Sequence, residues 1–95
     1  MAIGDAVLGL SSVDAGNSLT LQPGAGEEWV IHAILMGSDY EVYRTDGSNP
    51  ILISTDVGDD YWDEKQFHLT NSIYFTIKNI SVGAAGYGYE GMVTK

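Results

Sequence analysis

The chain has 95 residues, enough for one domain (1–95) around one hydrophobic core, and the lack of cysteine excludes disulfides and thiolate metal sites. Thirteen Asp and Glu stand against four Lys and Arg, a net charge of −9. The basic residues Arg44, Lys65, Lys78 and Lys95 are scattered singly, which argues against nucleic-acid and anionic-membrane partners, since both need clustered positive charge.

The segment MAIGDAVLGL lacks a basic region followed by a continuous apolar run, so it does not read as a signal peptide, and synthesis in the cytoplasm is expected. No apolar stretch approaches the ~20 residues that span a bilayer. Residues 1–16 are small and punctuated by glycine, as in an edge strand or an extended arm. Ser18 to Gln22 alternates polar and apolar residues and stops at the turn Pro23-Gly24-Ala25-Gly26. Glu28 to Met36 is apolar almost throughout, which predicts a strand covered on both faces, by the core and by a neighbour.

Tyr40 to Thr45 is the next strand, closed by the loop Asp46-Gly47-Ser48-Asn49. Ile51 to Thr55 returns, with Pro50 at the strand start, where a missing N–H is tolerated. An acidic loop, 56–60, leads to Tyr61-Trp62 and then to Phe67-His68-Leu69. From Ile73 to Lys78 the alternation predicts Ile73, Phe75 and Ile77 on the core face, with Tyr74, Thr76 and Lys78 on the other. A small-residue loop, 79–86, precedes a closing strand from Tyr87 to Val93. No window keeps helical spacing, so the fold class is all-β: a compact antiparallel sandwich or jelly roll of about eight short strands.

Candidate chemistry is sparse. His32 and His68 have no metal-ligand spacing, and Asp56, Asp59, Asp60, Asp63 and Glu64 do not follow the alternating pattern of a calcium loop. No metal and no cofactor are expected, and the acidic run reads as a solvated loop that discourages edge pairing. Nothing resembles the G-x-S-x-G elbow, and a chain this short has little room for a substrate cleft, so no catalytic residues are expected.

The aromatic residues are the candidate binding set: Tyr61, Trp62, Tyr87 and Tyr89. Adjacent strand residues point to opposite faces, so one of Tyr61 and Trp62 faces outward. Tyr87 and Tyr89 share a face across Gly88, which suggests a flat aromatic platform. Trp and Tyr dominate protein interfaces and also stack on sugars, and the residues alone do not separate these uses. A small core without disulfides makes oligomerisation the expected source of extra stability.

An ordered set of short motifs carries a resemblance. Glu28-Trp29-x-Ile31-His32, Asp46-Gly47-Ser48-Asn49, Phe67-His68-x-Thr70-Asn71-Ser72, Ile77-Lys78-Asn79-x-Ser81 and Gly88-Tyr89-x-Gly91 follow one another in the chain. Together they resemble small all-β virion proteins of tailed bacteriophages, found as capsid decoration (cement) proteins and as tail-fibre modules. The resemblance covers the chain from about Trp29 onward and is weaker in the first quarter. It implies a homo-oligomer, with a trimer favoured, bound between capsomers on the major capsid protein at the virion surface. A tail-fibre or glycan-binding module is the alternative, and no catalytic residues carry over in either case.

Overall fold

The structure, a computed structural model, describes residues 2–95. It consists of nine strands: β1 (Ala6–Val13), β2 (Ser18–Leu21), β3 (Glu28–Met36), β4 (Tyr40–Thr45), β5 (Ile51–Asp56), β6 (Asp60–Trp62), β7 (Phe67–Thr70), β8 (Tyr74–Asn79) and β9 (Ala85–Val93). The first sheet runs β1-β9-β3, and β6 and β7 both pair with β3 on its far side. The second runs β2-β8-β4-β5, and every pairing is antiparallel.

Counting β6 and β7 as one interrupted row, the chain forms eight rows in which first pairs with last, second with seventh, third with sixth and fourth with fifth. That is a ribbon folded back at the β4–β5 hairpin and wrapped around its own core, the jelly-roll arrangement of two Greek keys. Residues 6–13, within the segment read as an edge strand or an arm, form an edge strand in register with β9 from Ala6–Met92 to Val13–Ala85.

The row splits into β6 and β7 because β3 bulges between Ile31 and Ala33. Opposite the bulge the chain loops out through 63–66, with Glu64 in the left-handed region (φ 55°) and the Lys65 N–H donating to His32 O at 3.3 Å. This adds one strand to the expected count. β3 is apolar for a different reason than expected: its inward residues Trp29, Ile31, Ile34 and Met36 are buried, whereas outward Leu35 has no layer over it. The strand expected to begin at Ile73 begins at Tyr74, with Phe75 and Ile77 fully buried and Ile73 at the surface.

Among the described residues the buried polar side chains are Thr45 and Asn79, and Asn79 is completely buried and fully satisfied. Its amide donates to Val13 O (2.8 Å) and Gly83 O (2.9 Å), while Oδ1 accepts from the Ser81 N–H (2.8 Å) and hydroxyl (2.6 Å). Its backbone N–H donates to Asn17 O and its carbonyl accepts from Gly16 N–H, so one residue ties the β1–β2 corner to the β8–β9 corner. Replacing a buried, fully bonded amide strands several partners, each of which is costly without water. Asn79→Ala is therefore expected to lower unfolding free energy by on the order of 2–3 kcal/mol in urea titration, with Asn79→Asp similarly damaging.

Candidate interaction surface

Alternation decides what each strand of the β1-β9-β3 sheet shows to solvent. On β9, Tyr87, Tyr89, Gly91 and Val93 point inward, so Gly86, Gly88, Glu90 and Met92 line the outer face. The neighbouring outward residues are Leu8 and Leu10 on β1, paired with Glu90 and Gly88, and Leu35 on β3, also level with Gly88. Tyr61 on β6 sits opposite Leu35. Leu8 and Leu10 are 67% and 80% exposed, and Leu35, Tyr61 and Met92 are partly to well exposed.

Two glycines in the middle row leave a trough between these walls. A depression of about 620 Å³ lies among Leu10, Leu35, Tyr61, Gly86, Asp59 and Asp60. A second, of about 280 Å³, continues past Leu8, Leu10, Leu35, Glu90 and the edge of the half-buried Tyr89. Leu10 and Leu35 line both, making one groove with carboxylates at each end. Gly88 is needed for close approach as well as for shape: a Cβ there would lie 2.6 Å from Gly9 O and 3.1 Å from Leu10 Cδ1.

The four candidate aromatics divide between the two faces. Tyr61 faces the groove. Trp62 turns inward, half-buried, edge-on to Tyr40 (centroids 6.1 Å) and tilted against Phe67 (6.0 Å), which in turn packs on Phe75 (4.9 Å). Tyr87 and Tyr89 do share a face, but it is the core face, so the expected exposed platform does not form. Tyr87 is fully buried, its hydroxyl donating to Asp39 O at 2.8 Å. Tyr89 lies over Gly9 and stacks on Trp29 at 6.1 Å. Burial raises the pKa of both hydroxyls.

The polar candidates are distributed over the surface. Both histidines lie on the outer side of the first sheet, His68 Nε2 2.8 Å from Glu28 Oε1 and His32 Nε2 3.8 Å from Glu90 Oε1. Among the described residues no three His, Asp or Glu side chains gather about one point. In the acidic loop, Asp56 Oδ1 accepts from the Val57 N–H, and Asp60 accepts from the Tyr40 hydroxyl (2.7 Å) and the Tyr61 N–H (2.8 Å). These bonds, the Tyr40 hydroxyl foremost, hold the Asp60 carboxyl below its usual range.

Leu8, Leu10, Leu35 and Met92 are the surface residues missed by weighting aromatics. The alternation Gly86-Tyr87-Gly88-Tyr89 did signal a bare face, but which face was bare depended on neighbours that periodicity does not name. A scan against protein-family models finds no match to this chain, and a search of curated proteins finds none either.

Two outcomes follow. Trp62→Ala is expected to cost about 2 kcal/mol of folding stability, since a half-buried ring leaves part of a core cavity. Tyr61→Ala should stay within about 0.5 kcal/mol of wild type in the same denaturation assay. For Asp60, a lowered folded-state pKa means its contribution is present above the unfolded carboxylate value and disappears as pH falls through the folded one. The stability gap between wild type and Asp60→Asn should thus be full near neutrality and close below about pH 3.9, read by thermal melts across pH.

Proposed function

We propose that this chain is a non-catalytic structural module that binds a protein surface through the outer face of the β1-β9-β3-β6 sheet. The observation that carries the reading is the continuous groove walled by Leu8, Leu10, Leu35 and Tyr61, with Gly86, Gly37 and Gly9 along its floor. Contiguous exposed apolar surface on a small domain marks an interaction site, because hydration penalises it in the free protein. A glycine-floored trough adds shape: it accepts the side chains of a partner close to the backbone.

The resemblance to tailed-phage virion proteins supplies the partner class. In the finer form of the proposal the chain is a capsid decoration protein, docking on the major capsid protein between capsomers at the virion surface. The interface so assigned is mainly aliphatic, with Tyr61 and the edge of Tyr89 its aromatic members from the sequence-based set and Trp62 and Tyr87 turned to the core. The tail-module alternative draws on the placement of Tyr61 beside Asp59 and Asp60, a ring for stacking a sugar with carboxylates to accept its hydroxyls.

Copy number in purified virions, measured by mass spectrometry against the major capsid protein, separates these readings. A ratio near one to one or a simple lattice fraction is expected. A few copies per particle would favour the tail, and absence from the particle would remove both. Leu10→Lys places a charge on a residue that is 80% exposed, so melting should be unchanged while capsid binding falls at least tenfold. Undiminished binding by Leu10→Lys would overturn the assignment of this face.

A further inference from the structure

The second sheet ends in a free strand. β5 pairs with β4 alone, leaving its other edge without a strand neighbour. Natural edges are usually interrupted by charge, because an open row of N–H and C=O groups recruits other strands. Here Ile51, Leu52 and Ile53 are uncharged, consecutive and 65%, 42–46% exposed. Pro50 bounds the segment on one side. On the other, β5 bulges against β4 where Val42 pairs with Ser54 and Tyr43 with Leu52, leaving Ile53 as the extra residue.

We propose that β5 pairs antiparallel with β5 of a second copy of this chain, about a two-fold axis through Leu52. The occupant is set by self-complementarity. In that register Leu52 meets its own counterpart on the outer side, and Ile51 meets Ile53 of the second copy twice on the inner side. The alternation of the edge is matched on both strands, as an isologous interface requires. Any shift by one residue sets inner against outer side chains, and the proline and the bulge stop the ladder from extending.

Each end of the segment also adjoins a depression that the two-fold brings against the other. Beside Ile53, a cleft of about 420 Å³ opens between the sheets, lined by Ser54, Trp62, Lys65 and Phe67. Beside Ile51 lies one of about 250 Å³, bordered by Arg44, Asp46, Asn49 and Ile73. The pairing directs Ile51 of one copy toward the cleft of the other and sets Lys65 on the same side as the opposing Asp46. Asp46 is firmly ionised, its carboxylate accepting from the Ser48 and Asn49 N–H groups and the Asn49 amide, which lower its pKa. The lysine of one depression thus comes to the side of the other that carries both Asp46 and Arg44, so the pairing rests on the matched apolar edge rather than on charge.

Two copies each carrying −9 repel one another at long range, and salt screens that repulsion. The resulting dimer is two-fold, in place of the three-fold assembly that the resemblance implies. It uses nothing from the groove on the other sheet, so either surface can fail without the other.

Sedimentation velocity on the purified chain over a concentration series reaching roughly 100 µM, the range of small transient interfaces, tests the pairing. Wild type should move from monomer to dimer, with the dimer fraction rising from low to moderate salt. Leu52→Lys should remain monomeric at every concentration with an unchanged circular dichroism spectrum, and Ile53→Lys should behave alike. Leu10→Lys, on the other sheet, should dimerise like wild type. Wild type that stays monomeric throughout, a trimer, or a dimer that survives both Leu52→Lys and Ile53→Lys would each overturn the proposal.

Discussion

The register of β9 between β1 and β3 is the constraint on which the rest of the molecule depends. Strand side chains alternate with a period of two, so a slip by one residue would exchange Tyr87, Tyr89 and Val93 with Gly86, Gly88 and Met92. Core and groove are therefore the two readouts of a single alignment. Two contacts fix it. The Tyr89 ring occupies the space above Gly9, where a Cβ would come within 2.3 Å of the ring, and the Tyr87 hydroxyl donates to Asp39 O in the turn that follows β3. Large rings inside and bare glycines outside are the same decision seen from opposite faces.

A jelly roll this small buries a limited apolar area, and it lacks disulfides to restrain the unfolded chain. Asn79 compensates with six hydrogen bonds: three, to Val13, Gly16 and Asn17, connect it to a corner far away in sequence, and three, to Ser81 and Gly83, brace its own corner. A buried polar network of this kind is favourable only when every member is paired, and here every member is. The aromatic run Tyr40–Trp62–Phe67–Phe75 does the equivalent work on the open side of the sandwich, where Arg44 sits 5.6 Å from the Phe75 centroid and closes the end.

Strand positions were legible in the sequence because turn chemistry is local. Asp46 accepting from 48 and 49, and Thr70 Oγ1 accepting from the Ser72 and Ile73 N–H groups, are interactions of residues two or three apart. These same turn residues make up much of the motif set behind the phage resemblance, as do Asn71, which donates to Pro23 O, and Asn79. What the sequence left open was long-range: which sheet each strand joins, and so which face of β9 is covered. Tyr87-Gly88-Tyr89 looks the same whether its rings line a core or a surface. The bulge at His32 was equally hidden, since it arises from fitting β3 against β9 and two short strands at once.

The two surfaces proposed for this chain meet at β6. Tyr61 and Trp62 are neighbours in sequence and point to opposite sides of one strand, Tyr61 into the groove of the first sheet and Trp62 into the cleft beside Ile53. β6 has three residues and is held by β3 through Met36, Leu35 and Ile34, with the Tyr40–Asp60 hydrogen bond anchoring its start. Period-two geometry thus sets one residue of β6 beside each proposed surface, and neither surface draws its own residues from the other.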